Sequence, residues 1–242
     1  MYLFGVNFEF NRDEIDKKII DFCNKNKKGY ICLVDGNSLS ISHTSKEFKG
    51  ILNNSMLSIC DGSSIAFLGS LLHKKKLRTF IGIDFFNKYI NPERKNFFIG
   101  NTKKVLGDIK NKLINTGYNK KMIYFESLPF DDVNNFNFEL IAAKINSKDP
   151  DFIWVSLGAP KQEIFMSKIL PLINRGILVG VGVSFNFFVN DFNNKRAPNI
   201  FLKLNLEWLY RVFAEPARVG LRAFKYLKNI PLLLYNEIKQ VK

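Results

Sequence analysis

The sequence predicts an α/β fold: a Rossmann-like, doubly wound, mostly parallel sheet followed by a C-terminal helical appendage. Two observations support this prediction. Between residues 30 and 181, short apolar runs alternate with segments of helical spacing, as expected of parallel strands joined by helices. After about Lys195 no further strand pattern occurs and only helical spacing remains. The predicted core therefore covers residues 1–198, and the appendage covers residues 199–242.

The elements of the core follow from hydrophobic spacing. Apolar runs without polar alternation predict strands buried on both faces, at residues 30–34, 56–60, 96–100, 122–125, 152–157 and 177–181. Helical spacing predicts helices over residues 12–25, 45–54, 63–72, 102–115, 136–146 and 161–174. In the fourth of these helices, one face carries Val105, Leu106, Ile109 and Leu113.

The sequence of the appendage predicts two or three helices. We expect breaks near Pro216 and Pro231, because proline removes a backbone N–H donor. On a helical wheel, an apolar arc stands opposite a basic arc. The apolar arc contains Val219, Ala223, Leu227 and Ile230, and the basic arc contains Arg218, Arg222, Lys225 and Lys228. Such a helix suits an anionic membrane surface, although an ordinary surface helix packed on its own core explains the same pattern.

Composition narrows the class of protein. The 242 residues carry a formal net charge of +14, which favours anionic partners such as nucleic acid, acidic membranes or phosphorylated substrates. Three cysteines and two histidines are too few for a disulfide framework or a histidine-built metal cage, and they fit a reducing cytosol. The N-terminus lacks a signal-peptide pattern, and no apolar run approaches the ~20 residues of a membrane span. We expect a cytoplasmic protein that can lie on a membrane without crossing it.

Polar or glycine-rich turns follow four of the predicted strands: Asp35-Gly36-Asn37, Asp61-Gly62-Ser63-Ser64, residues 158–163 and residues 182–186. Because the carboxyl ends of parallel strands share one edge of a sheet, these turns should meet at the ligand site. Helix N-termini at such turns favour an anionic group, for example a diphosphate. No Gly-x-Gly-x-x-Gly follows a strand and no Walker loop is present, which disfavours dinucleotide-binding and P-loop proteins.

Taken in order, these turns resemble the WecG/TagA/CpsF glycosyltransferases of bacterial surface-polymer synthesis. The likeness runs from about residue 5 to about residue 225. It rests on Asp61-Gly62, residues 158–163, residues 182–187, residues 195–198, residues 206–211, Glu215-Pro216 and Arg218. The resemblance implies inverting transfer of an N-acetylhexosamine-type sugar, N-acetylmannosamine or a relative, from UDP to an undecaprenyl-diphosphate-linked sugar. It further implies that no cofactor or metal is required, that the product feeds surface polysaccharide or teichoic acid synthesis, and that the enzyme is peripheral on the inner face of the plasma membrane.

The resemblance also assigns roles by position. Asp61 matches the proposed catalytic base, Asn37 an asparagine at the pocket floor, and Gln162 a polar residue facing the substrate. The arginines that match those thought to close over the donor diphosphate are Arg211, Arg218 and Arg222. Further substrate-binding candidates in the same turns are Asp35, Lys161, Asn186 and Arg196.

Two positions depart from the family pattern. Asp35-Gly36-Asn37 stands where the family usually has Thr-x-Asn, and Ser184-Phe185-Asn186 stands where it usually has Ser-Phe-Asp. One gained and one lost acid around a pocket suggest an altered sugar preference, relocated hydrogen bonding or reduced activity. A catalytically weak relative that binds a UDP-sugar or scaffolds a membrane complex is therefore an alternative.

The Asp149-Pro150-Asp151 segment has the Asp-x-Asp form with which many glycosyltransferases hold a metal–diphosphate. It precedes a predicted strand, at the end opposite the expected site, so we do not expect it to bind metal. A nucleic-acid-binding protein is a remote alternative suggested by the charge and by 24 phenylalanines. Most phenylalanines lie in apolar runs and no nucleic-acid motif is present, so we expect no nucleic-acid partner. Leucine and phenylalanine positions on the helices suit either a core or a subunit interface, so the sequence is also compatible with a homo-oligomer.

Overall fold

The computed structural model describes residues 1–190, 198, 201, 210, 212–213 and 216–241, the side chains of 217, 218, 240 and 241 excepted. The strands are β1 (Tyr2–Leu3), β2 (Val6–Glu9), β3 (Lys28–Val34), β4 (Leu57–Cys60), β5 (Asn96–Gly100), β6 (Ile123–Glu126), β7 (Phe152–Ser156) and β8 (Gly176–Gly180). They form one sheet in the order β1-β2-β4-β3-β8-β7-β5-β6. The β1–β2 pair is antiparallel and the other pairs are parallel, which confirms the predicted mostly parallel sheet.

The helices are α1 (Arg12–Asn24), α2 (Gly36–Thr44), α3 (Lys46–Asn53), α4 (Ser63–His73), α5 (Gly82–Tyr89), α6 (Lys103–Asn115), α7 (Phe138–Asn146), α8 (Lys161–Ile169), α9 (Ser184–Phe188) and α10 (Leu221–Val241). A π-helical turn, Pro216–Gly220, precedes α10. All six predicted strands and all six predicted core helices are present. The last of these, α8, is shorter than predicted, because Pro171 falls in a 3₁₀ turn that follows Ile169.

Five strands and helices were not predicted from the sequence: β1, β2, α2, α5 and α9, the last of which begins within the turn predicted at residues 182–186. The sequence of α2, Gly-Asn-Ser-Leu-Ser-Ile-Ser-His-Thr, alternates polar and apolar residues and has no helical periodicity. Its serines are nevertheless buried, because neighbouring helices cover both sides of this segment. Contacts distant in sequence, rather than local preference, select the helix there.

Helices cover both faces of the sheet, and each face has its own hydrophobic core. In β3, Ile31 and Leu33 point into one core, together with α1, α5 and α6. Cys32 and Val34 point into the other, together with α2, α3 and α8. Such alternation follows from the two-residue period of a strand. It confirms the doubly wound arrangement.

The predicted break near Pro231 is wrong, because α10 continues through this residue. Pro231 is exposed, whereas Tyr226 and Leu233 on either side of it belong to the same core as α2. Asn229 adds a hydrogen bond from Nδ2 to Ser40 Oγ, at 2.6 Å. Packing over two successive turns therefore outweighs the loss of one backbone hydrogen bond.

The buried residues of α10 also differ from those of the apolar arc that the helical wheel predicts. Tyr226, Leu233 and Glu237 are buried, whereas Leu227 is 52% exposed. α10 thus contributes to the core of the sheet, so deletion of residues 199–242 would remove buried surface as well as the appendage arginines. The predicted boundary between the core and the appendage falls, apart from Pro198, among residues outside the described ranges.

Candidate active site

A long cleft runs along the edge of the sheet where β3, β4, β5, β7 and β8 end. One chamber lies between the turns after β3 and β4, the start of α5, and α10. A second chamber lies along the turns after β5, β7 and β8. Four polar side chains line both chambers, namely Asp35, Asn37, Asp61 and Arg222. The predicted clustering of strand-end turns is therefore present in the structure.

Asp61 is held where β4 gives way to α4. Its backbone N–H donates to Val34 O at 3.0 Å, which ties the residue to the end of β3. Its Oδ1 accepts from the backbone N–H of Gly82 at 2.8 Å. The residue is half-buried and lines both chambers. A carboxylate fixed in this way is well placed to act on a group bound at the junction of the chambers.

The N-terminal ends of three helices border the first chamber. Gly36 and Asn37 begin α2, Ser63 and Ser64 begin α4, and Ser184 begins α9. Helix N-termini present backbone N–H groups and the positive end of the helix dipole. This arrangement favours a bound anion such as a diphosphate.

Tyr226 on α10 closes one wall of this chamber. Ser64 Oγ donates to its hydroxyl at 3.1 Å, and burial raises the pKa of the phenol. The ring lies so close to Gly36 that a Cβ on this residue would stand 2.9 Å from Tyr226 Cδ1. Glycine at position 36 is therefore what allows α10 to approach α2. Tyr226 was not predicted as a site residue, and the one local signal for this contact is the glycine that follows Asp35 at the start of α2.

An amide network forms the wall of the second chamber. Asn101 Nδ2 donates to Asn186 Oδ1 and to Ser156 Oγ, both at 3.0 Å. Ser156 Oγ donates in turn to Gly182 O at 2.6 Å. Asn101 adopts a left-handed conformation (φ 60°), which asparagine tolerates better than most residues. Asn101 was not predicted as a site residue, although Gly100-Asn101 at the end of a strand is a recognisable turn signal.

Gln162 lies at the floor of the second chamber and is only 4% exposed. Its Oε1 accepts from Gly158 N at 3.2 Å, and its Nε2 donates to Glu163 Oε1 at 3.0 Å. Lys161 lines the wall, where Nζ donates to Asp131 O and lies 4.8 Å from the centre of the Phe136 ring. Both residues border the cleft, and both side chains are engaged by neighbouring protein groups.

Of the four arginines predicted for the site, only Arg222 has a side chain among the described residues. The exposed side chain of Arg222 lines both chambers, as Asp61 does. Arg196 and Arg211 lie outside the described residues, as does the side chain of Arg218, whose backbone belongs to the π-helical turn.

Comparison with known proteins identifies the family. The model of the glycosyl transferase WecG/TagA/CpsF family matches residues 1–242. The chain belongs to this family of glycosyltransferases. The resemblance inferred from the strand-end turns is thereby confirmed.

Three curated relatives are each named N-acetylglucosaminyldiphosphoundecaprenol N-acetyl-beta-D-mannosaminyltransferase. The protein of Bacillus spizizenii (strain ATCC 23059 / NRRL B-14472 / W23) is 28% identical over 71% of this chain and 65% of its own length, just under two thirds. That of Bacillus subtilis (strain 168) is 27% identical over 81% of this chain and 74% of its own. The protein of Staphylococcus aureus (strain MRSA252) is 25% identical over 87% of this chain and 80% of its own length.

The two departures from the WecG/TagA/CpsF pattern have local explanations. The Asp35 carboxylate caps α2 by accepting from Ser38 N at 2.8 Å, a role that threonine also performs. Asn186 offers Oδ1 as an acceptor to Asn101, which an aspartate would do equally well. Both substitutions therefore keep the hydrogen-bond acceptor in place, which favours a working site over a degenerate one.

The Asp-x-Asp segment lies at the opposite edge of the sheet, before β7. Asp149 Oδ2 accepts from Arg175 at 3.0 Å, and Asp151 pairs with the same guanidinium. Asp151 Oδ2 also accepts from Lys95 N at 2.9 Å. In this family member the two carboxylates therefore bind neighbouring strands together, away from the cleft.

Glu163 lies directly beneath the cleft of this glycosyltransferase and is fully buried. Its Oε2 has no hydrogen-bond partner among the described residues. Burial raises the pKa of its carboxyl to about 7; the hydrogen bond from Gln162 acts against this shift, and the charge of Asp35 adds to it. The protonation of Glu163 should therefore affect stability near neutral pH.

We expect the free energy of unfolding to fall with rising pH more steeply in the wild type than in Glu163→Gln. The folded-state pKa, about 7, exceeds the ordinary value of 4.5, so the stability is complete below about pH 4.5 and declines as the pH rises through 7. At about 1.4 kcal/mol per pKa unit, the wild type should lose about 3 kcal/mol more than the variant between pH 5 and pH 8. Urea unfolding at both pH values measures this difference. Parallel pH profiles of the two proteins would contradict it.

Proposed function

We propose that this chain transfers N-acetylmannosamine, or a closely related N-acetylhexosamine, from UDP to an undecaprenyl-diphosphate-linked sugar, with inversion and without a required metal. The single observation that carries the proposal is the position of Asp61, whose carboxylate lines the same cleft as Arg222 and the helix N-termini. The family membership and the names of the relatives support the reaction class. The product would enter surface polysaccharide or teichoic acid synthesis.

The chemistry assigned to Asp61 is general base catalysis. A hydroxyl oxygen of the acceptor sugar forms the new bond to the anomeric carbon, while the bond between that carbon and the UDP oxygen breaks on the opposite face. The electron pair of the broken bond leaves with UDP, and the hydroxyl proton passes to the Asp61 carboxylate. A positioned base of this kind contributes about a hundred- to ten-thousand-fold to rate.

The leaving UDP gains negative charge, which the protein has to stabilise. Arg222 can donate paired hydrogen bonds to a diphosphate, because its planar guanidinium matches phosphate oxygens. The N-termini of α2 and α4 supply backbone N–H groups at the same chamber. These groups can stabilise the departing charge without a metal ion.

We further propose that the protein works as a peripheral protein on the cytoplasmic face of the membrane, where a polyprenyl-linked acceptor is accessible. The relatives' names specify a diphosphoundecaprenol-linked acceptor, and α10 presents Arg222, Lys225 and Lys228 to solvent. No helix among the described residues is long and apolar enough to span a bilayer.

The test is sugar transfer from UDP-N-acetylmannosamine and other UDP-sugars to a short-chain, diphosphate-linked N-acetylglucosamine, with and without EDTA. We expect UDP release, a product heavier by one N-acetylhexosamine, an inverted anomeric centre and no effect of EDTA. Loss of transfer in EDTA would overturn metal independence. UDP binding without turnover on any donor would instead indicate a weak relative, and absence of UDP binding would contradict the proposed donor.

A further inference from the structure

Exposed apolar side chains are concentrated on two helices. The described residues include 14 large hydrophobic side chains that are exposed to solvent. Eight of them lie on α4 and α10, namely Phe67, Leu71, Leu221, Phe224, Leu227, Leu232, Tyr235 and Ile238. Phe67 and Leu71 are each 68% exposed, one helical turn apart. An apolar concentration of this kind on a soluble surface is typical of a docking site.

The main packing partner of α10 is α2, but α4 runs in the same direction as α10 and touches it through side chains at two points. Near their N-terminal parts, Ser64 Oγ donates to Tyr226 Oη at 3.1 Å. Near their C-terminal parts, His73 Nε2 lies 2.8 Å from Glu237 Oε1. Apolar residues of both helices pack into one core between these two contacts, namely Leu68, Leu72, Ile230, Leu233 and Leu234. The exposed sides of α4 and α10 therefore adjoin, and we call them together the α4–α10 face.

The charges on and beside this face have one sign. The exposed charged side chains of residues 63–81 and of the described part of α10 are Lys74, Lys75, Lys76, Arg78, Arg222, Lys225, Lys228 and Lys239. The one acid in these two segments, Glu237, is 2% exposed and also accepts from Phe4 N at 2.6 Å. An apolar surface rimmed by lysine and arginine complements the anionic headgroups and acyl chains of a bilayer.

We propose that α4 of the core, with the lysines that follow it, forms part of the surface that docks on an anionic lipid bilayer, alongside α10. The inference rests on the proposed function, which places the protein at a membrane, and assigns that contact to a helix outside the C-terminal appendage. A second copy of this chain is the alternative partner for this face. Two-fold pairing would bring like charges together, which disfavours such a dimer.

This docking orients the active site. Arg222, Leu227 and Ile230 of α10 line the first chamber, and Leu227 is half-exposed. The chamber that Asp61 lines is therefore bordered by both helices of the α4–α10 face. Docking through this face would therefore hold the first chamber near the headgroup region.

The test is co-sedimentation of the full chain with vesicles of phosphatidylcholine containing phosphatidylglycerol. The apolar variant is Phe67→Ser with Leu71→Ser. Its matched control is Ile20→Ser with Leu140→Ser, two residues that are each 55% exposed on α1 and α7. We expect about tenfold weaker vesicle binding for the apolar variant and wild-type binding for the control.

Two variants that remove surface charge extend the test. Lys74→Gln, Lys75→Gln and Lys76→Gln together should weaken binding and reduce its dependence on salt, because each basic residue near the surface adds electrostatic attraction. The matched control is the triple replacement of Lys110, Lys120 and Lys121 by glutamine, because these lysines are also exposed and do not belong to the face. Thermal unfolding verifies that each variant folds, and transfer to the short-chain acceptor in solution should stay unchanged.

The outcomes separate the two proposals. If the wild type does not bind anionic vesicles, the proposed membrane contact itself fails, whereas transfer to the short-chain acceptor reports on the enzymatic proposal independently. If the wild type binds and the Phe67/Leu71 variant binds equally well, the assignment of α4 is overturned. If the wild type is a dimer without lipid and this variant is a monomer, the face is a subunit interface, which also overturns the assignment.

Discussion

Replacement of Asp61 by asparagine should lower kcat for sugar transfer by about a hundred- to ten-thousand-fold, with little change in KM for the donor. Asparagine keeps an oxygen that can accept from Gly82 N, so the hydrogen bond that positions Asp61 is retained. What is lost is the carboxylate that accepts the proton of the attacking hydroxyl. Asp61→Asn thus separates the chemical role from the structural one.

Steady-state kinetics of UDP release with the short-chain acceptor measure this effect. Asp108→Asn is the matched control, because Asp108 is an exposed aspartate on α6 and does not line the cleft. The control should keep wild-type activity. More than a tenth of wild-type kcat in Asp61→Asn would remove Asp61 from the role of base.

Replacement of Arg222 by alanine should lower kcat/KM for the UDP-sugar by about a hundred-fold, because a donor to the developing diphosphate charge is lost. Arg222→Lys should recover only part of this loss, since an ammonium cannot donate the paired hydrogen bonds of a guanidinium. Inhibition by UDP should weaken in the same order, which distinguishes diphosphate binding from an effect on the acceptor.

Lys225→Ala provides the control for charge on the same helix. Lys225 is exposed on α10, as Arg222 is, but it does not line either chamber. If the two alanine variants lose equal activity with the short-chain acceptor, Arg222 acts only through general positive charge. A selective loss in Arg222→Ala would support a direct contact with the diphosphate.

The candidate site shows which parts of an active site local sequence predicts. Asp61, Asn37 and Gln162 each follow a strand whose apolar run is recognisable, so their positions at the sheet edge could be predicted. Asn101 also follows a strand, but it was not predicted as a site residue. Its contribution depends on hydrogen bonds to Ser156 and Asn186, residues 55 and 85 positions away.

The sequence by itself determined the class of fold, the strand-end turns and the membership of a glycosyltransferase family, because these depend on periodicity and on short motifs that the chain displays locally. Only the tertiary structure decided that residues 36–44 form a helix, that α10 continues through Pro231, and that Tyr226 packs over Gly36. It also decided that α4 and α10 share one exposed face. The physical reason is that each of these features is stabilised by packing between segments far apart in sequence, where burial outweighs local propensity.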